Sequence, residues 1–138
     1  MIFKSDLSKA TDKKYPYFLP FSLEKIFLWM DKNLSLEKIV LASEKTGSYI
    51  PTRTGLRTYI GYYSTLNRET KKRYFEYFMN ENVSDLYRKK FLKLNKINYF
   101  LFGDFEREIG GFNPENKDYL KKMYSWGSIL LYKVEINE

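Results

Sequence analysis

Apolar positions along this chain change period several times, and each change marks an element. Residues 1–20 are polar, then aromatic, and are broken by Pro16 and Pro20, which suggests an entry arm before a single domain over 21–138. Leu23, Ile26, Phe27 and Met30 then recur at helical spacing, with Trp29 widening the stripe. Ser22 is a suitable N-cap for this helix, Glu24 suits its first turn, and it should end near Asn33. Ile39-Val40-Leu41-Ala42 is a short apolar run, the length and character of a strand buried on both faces. Residues 44–55 are rich in Thr, Ser, Gly and Pro and predict a loop. A second strand follows over 57–60, closed by Gly61.

The second half repeats the alternation. Asn67 suits the start of a helix reaching about Asn80 and burying Tyr74, Phe75 and Phe78. Ser84 suits the start of the next, with Leu86, Tyr87, Phe91 and Leu94 inward. Residues 97–102 read as a third strand. Asn113-Pro114-Glu115 has the cap, proline and acid order of a helix start. Residues 129–134 close the chain as a strand, and Tyr124-Ser125-Trp126 can pair with it across a Gly127-Ser128 turn. Strands alternating with helices predict an α/β fold: one layered domain, a mainly parallel central sheet of four to five strands, flanking helices, and an antiparallel last strand at the edge.

Composition narrows the chemistry. Among 138 residues there is no cysteine and no histidine, so thiolate and imidazole catalysis are absent, as are the commonest zinc ligands. Aromatic residues make up 19%, mostly Tyr and Phe, and apolar residues 43%, enough for a real core. The formal net charge of +7 favours anionic partners such as nucleic acid, anionic head groups or phosphorylated ligands, although a lysine-rich solvated surface also accounts for it. No run approaches the roughly 20 apolar residues that span a bilayer, and the first residues lack a signal-peptide core, so the chain as written reads as soluble.

Four constellations are candidates for function. The first follows strand one and contains Thr46, Gly47, Ser48 and Arg53. Hydroxyls, a glycine and a guanidinium at a strand end suit a phosphate or sugar, since ligands of open α/β sheets sit beyond the carboxyl ends of strands. The glycine spacing matches neither the Walker nor the dinucleotide pattern, and an ordinary connection explains it as well. The second, Gly61, Tyr62 and Thr65, should reach the same edge, with tyrosine rings able to stack on a sugar or base or simply to pack on the next helix. The third is Gly103, Asp104, Glu106, Arg107 and Glu108. Its carboxylates alternate around an arginine, which reads as a structural ion pair more than an acid–base set. The fourth is basic: Lys71, Lys72 and Arg73 on one helix, and Arg88, Lys89, Lys90, Lys93 and Lys96 on the next. It permits nucleic-acid binding or is a solvated face. No residue set calls for a metal or another cofactor.

These elements together resemble a family. The pattern comprises Leu28-Trp29-Met30, Val40-Leu41-Ala42-Ser43, Thr46-Gly47, Ile50-Pro51, Gly61 with Thr65, Asn98-Tyr99-Phe100, Gly103 with Glu106-Arg107, and Tyr124 before Ile129-Leu130-Leu131-Tyr132-Lys133-Val134. It is similar to the extracytoplasmic C-terminal domain of bacterial multi-pass membrane proteins related to lipid-linked-sugar glycosyltransferases, the oligosaccharyltransferase and mannosyltransferase superfamily. Those domains often carry Gly-Pro-x-Glu-Arg where this chain has Gly103-Asp104-Phe105-Glu106-Arg107, and Gly-His where it has Gly61-Tyr62. The resemblance implies a non-catalytic accessory domain at the extracytoplasmic face of the membrane. Its partners would be the membrane portion of the same polypeptide, a glycan or lipid-linked sugar, and an anionic membrane surface. Gly103, Glu106 and Arg107 would be its structural signature. A free-standing nucleic-acid-binding protein and a small sugar- or phosphate-binding enzyme are the alternatives.

Overall fold

The computed structural model describes residues 20–61 and 66–137. The entry arm over 1–19, and with it most of that expectation, lies outside the described residues, as do Tyr62 and Thr65. The chain runs α1 (Phe21–Asn33), β1 (Ile39–Leu41), α2 (Glu44–Gly47), α3 (Ile50–Thr54), β2 (Arg57–Thr58), α4 (Arg68–Phe78), α5 (Asp85–Leu94), β3 (Tyr99–Phe102), α6 (Asp104–Arg107), β4 (Leu120–Trp126) and β5 (Ile129–Val134).

One sheet of five strands has the order β2-β1-β3-β5-β4. β1 is parallel to both β2 and β3, while β5 runs antiparallel to β3, and β4 antiparallel to β5. The α/β class and the antiparallel last strand are as the sequence predicts, but β5 lies inside the sheet between β3 and β4, and β4 forms the edge, because the hairpin folds back outward. Period-2 alternation splits the core into two layers. Tyr99 and Leu101 point into one cluster with Leu23, Ile26, Phe27 and Met30 of α1, whereas Phe100 and Phe102 point into another with Phe75 and Phe78 of α4 and Phe91 and Leu92 of α5. The sheet is therefore sandwiched, α1 to α3 on one face and α4–α5 on the other.

Several local expectations are corrected. α1 begins at Phe21 with Pro20 as N-cap, so Ser22 lies inside the helix and does not cap it. The stretch after β1 folds as two short helices, because the Ser43 side chain accepts from Thr46 N and Pro51 occupies the first turn of α3, where no N–H is needed. β2 is shorter than the expected strand. Asn67 does precede α4, but with a left-handed backbone and no side-chain cap. Tyr74, Leu86 and Leu94 do not enter the core: they are 51%, 63% and 81% exposed, and Met79, Arg88 and Leu92 are buried instead.

No helix begins at Pro114. The Asn113 side chain accepts from Glu115 N at 3.0 Å, the bond an N-cap makes, but Asn116 takes φ 66°, left-handed, which ends the turn begun there. The chain then enters β4, and the hairpin with β5 closes on the two residues Gly127-Ser128, Gly127 at φ 61° matching the tight turns such hairpins favour.

Candidate functional site

From β1 the chain passes to β2 on one side, and later returns to β3 on the other. The chain therefore leaves the adjacent carboxyl ends of β1 and β3 toward opposite edges of the sheet, which is where open α/β sheets hold ligands, in a crevice beyond the strand ends. α2 starts at the end of β1 and α6 at the end of β3, so backbone N–H groups of both turns face the crevice.

Two of the N–H groups at these strand ends, Ser43 N and Gly103 N, are taken by one carboxylate. Glu106 is 1% exposed, and its two oxygens accept separately: Oε1 from Gly103 N at 2.8 Å and Oε2 from Ser43 N at 2.9 Å. One carboxylate thus ties the end of β1 to the end of β3. Its partner is not Arg107, as the alternating charges suggested. Arg107 pairs with Asp104 at 3.2 Å and lies over the Phe102 ring at 4.7 Å. Asp104 also accepts from Ser128 Oγ at 3.1 Å. Sequence spacing signals a turn here, but the reach from Glu106 to Ser43, 63 residues away, is visible only in three dimensions.

The other sequence candidates are placed as follows. Thr46 is buried, its hydroxyl accepting from Ser43 Oγ at 3.2 Å. Ser48 Oγ donates to Glu44 O at 2.7 Å. Gly47 packs so tightly on the chain leaving β2 that a Cβ there would stand 2.0 Å from Ile60 O. Gly61 is buried against Gly47 from the other side. Thr46, Gly47, Ser48 and Gly61 therefore converge. Arg53 does not join them: its guanidinium reaches α1, bonding both oxygens of Glu24 at 3.0 Å.

Two openings flank the Glu106 tie, with Phe105 lining both. The larger, about 240 Å³, has a floor of Ile60, Phe75 and Ile109 and a charged rim of Lys45, Lys72, Glu44, Glu76 and Glu108. Lys45 Nζ lies 5.4 Å from the centre of the Phe105 ring. Glu44 is held by Arg68 and, at 3.8 Å, by Lys72. The smaller opening, about 150 Å³, lies between Thr46, Asp104, Ser128 and the start of α1. Apolar floor, aromatic wall and a rim of both signs suit the binding of a polyhydroxylated molecule through many weak contacts. Glu106, with each oxygen accepting from a backbone N–H, serves here as a structural tie.

The basic helices divide. Arg88 is 2% exposed: Nε donates to Phe78 O at 2.8 Å, Nη2 to Asn80 O at 2.5 Å, and the guanidinium stacks 3.9 Å from the centre of Phe112. It closes the carboxyl end of α4 and leaves the surface charge pattern. Lys89 pairs with Asp118 at 3.9 Å. Among the described residues no group of three His, Cys, Asp or Glu could hold a metal ion, and no helix is long and apolar enough to cross a membrane.

No protein-family model matches the sequence, and no curated protein matches it. Among solved structures, the C-terminal globular domain of an oligosaccharyltransferase from Archaeoglobus fulgidus has a similar fold. The TM-score is 0.66 at 12% identity, over 86% of this chain and 99% of that one. At that identity the likeness lies in the fold. The chain is similar in fold to that C-terminal globular domain.

Proposed function

We propose that this chain is a non-catalytic accessory domain of a membrane glycosyltransferase-like protein, placed at the extracytoplasmic face of the membrane, where it contacts glycan or acceptor. The observation that carries this reading is the fold likeness, which takes in nearly the whole of a discrete domain of an oligosaccharyltransferase. The geometry agrees in one respect: Glu106 is taken up in tying the ends of β1 and β3 together, and the openings beside it offer a surface for contact. The opening around Lys45, Phe105 and Glu108 is the contact surface on this reading.

The test is an NMR titration of the chain with short neutral and acidic oligosaccharides and with acceptor-like peptides. Resonances of Ser43, Lys45, Phe105 and Glu108 should move, with millimolar affinity. Phe105→Ala should weaken the response about tenfold, the usual effect of losing about 1.4 kcal/mol, while leaving the fold unchanged. Shifts confined to other faces, or sugar transfer catalysed by the chain alone, would overturn the reading.

A further inference from the structure

The outer face of α4 and α5 carries large apolar side chains that the core does not use. Leu66, Tyr74, Tyr77, Leu86 and Leu94 are large, and are 79%, 51%, 52%, 63% and 81% exposed. They lie on or beside two neighbouring helices, whose surfaces meet where Tyr77 packs edge-on to Tyr87 at 4.9 Å. Between the helices runs a groove of about 440 Å³, floored by Tyr59 and Phe91 and lined by Tyr74, Leu94, Lys71 and Lys90. No carboxylate lines it.

Charge is sorted around both helices. Arg73 and Lys90 lie on the exposed side with the leucines and tyrosines: Leu86, Lys90 and Leu94 follow one another at four-residue steps, so they share a stripe. The acids have other partners or line another opening, although Glu69 falls on the Arg73–Tyr77 stripe of α4. Glu76 lines the opening at the strand ends, Glu69 pairs with Arg68, and Asp85 is bound by Lys117, Tyr119 and Arg88. Exposed leucine and tyrosine interleaved with cations, around a groove that no carboxylate lines, is the composition of a surface that rests at a membrane interface.

We propose that this α4–α5 face docks on an anionic bilayer. Leu66, Leu86 and Leu94 enter the head-group boundary, the tyrosines sit at head-group level, and Lys71, Arg73 and Lys90 meet lipid phosphates. A second copy of the chain is a poorer occupant, because pairing two such faces would oppose like charges on molecules of net charge +7. The proposal deepens the accessory-domain reading by giving the domain an orientation, and rests on that reading for its setting.

The experiment is co-sedimentation of the 138-residue chain with vesicles of phosphatidylcholine alone or with about a third phosphatidylserine. Binding should require the anionic lipid and fall at least about tenfold between low and high salt, as screened charges demand. The double variant Tyr74→Glu/Leu94→Glu should bind at least about tenfold more weakly, since both side chains are surface-exposed and their loss leaves the core intact. Leu28→Glu, an exposed leucine on α1, should bind like the parent, and circular dichroism should show all three folded. Equal binding to both lipids, no binding at low salt, or no effect of the double variant would overturn the proposal. So would a concentration-dependent dimer that the double variant abolishes. The vesicles carry no glycan, so failure here leaves the oligosaccharide titration untouched, and failure there leaves this result standing.

Discussion

Glu106 holds two turns with one side chain, and this makes it the most sensitive polar position at the crevice. Its oxygens satisfy Ser43 N and Gly103 N in a site closed to water. Glu106→Gln keeps the shape, but its amide offers one acceptor oxygen, so one buried N–H faces an NH₂ group. The expected loss is about 2 kcal/mol, the scale of a hydrogen bond to a charged group. Chemical denaturation of the two proteins checks it, and an unchanged midpoint would mean that the turns hold without the tie. Gly47 is sensitive for a steric reason. A methyl group there would meet Ile60 O, a backbone atom that cannot rotate away. Gly47→Ala should cost about 3 kcal/mol, the upper range for overpacking, and thermal unfolding would show it. A loss below about 0.5 kcal/mol, the level of an ordinary surface change, would mean that α2 can slide off the chain leaving β2.

At the scale of elements, the junction of α5 with the chain entering β4 is electrostatic. Asp85 accepts from Tyr119 Oη at 2.5 Å and Lys117 Nζ at 3.1 Å, and faces Arg88 at 3.2 Å. Burial alone would raise its pKa, but these hydrogen bonds and charges outweigh it and hold the carboxyl below its ordinary 3.8. A lowered carboxyl pKa stabilises the fold above the unfolded-state value, and that stabilisation is lost as pH falls through the folded-state value. Asp85→Asn should therefore be less stable than the parent at neutral pH by an amount that stays constant down to about pH 4 and shrinks below it. Parallel stability curves across the acid range would rule out Asp85 as the cause. Tyr119 is shifted upward by burial and by Asp85, so its contribution is present at neutral pH and is lost only in strong alkali. The junction also shows what the sequence conceals. β1, β3, α1 and the closing hairpin are legible because each carries its own period or turn pair. Tyr74, Leu86 and Leu94 look like core because they fall at helical spacing beside true core residues. Spacing cannot distinguish a core stripe from a second apolar stripe that meets the outside. Arg88 looks like surface because its charge is visible in the sequence and its partners, the carbonyls of Phe78 and Asn80, are not. The Asn113-Pro114 signal failed because a left-handed residue three positions later overrode a correct local cue. At the crevice, residue types near the strand ends were readable, but the Glu106 tie depends on which strands are neighbours.

At the scale of the whole molecule, two cores share one sheet, and their coupling decides how the domain unfolds. β3 sends Tyr99 and Leu101 to the α1 side and Phe100 and Phe102 to the α4–α5 side; β5 sends Leu131 one way and Tyr132 the other. Neither core can lose its packing without exposing strands that the other needs, so a chain of this size should unfold in one step. The tryptophans make this testable, because both report from one side. Trp29 of α1 stacks on Tyr124 with centroids 4.5 Å apart, and Trp126 lies beside Lys25 of α1. Leu92, fully buried, belongs to the opposite core. Leu92→Ala should cost about 3 kcal/mol by cavity formation. If the sheet couples the cores, denaturant midpoints from tryptophan fluorescence and from far-ultraviolet circular dichroism will coincide in the parent and move together in the variant. A circular dichroism midpoint that falls while the fluorescence midpoint stays would show α4 and α5 melting from a sheet still held by α1. The face proposed to meet the bilayer would then be the least stable part of the domain, and membrane binding would be expected to raise its melting point alone.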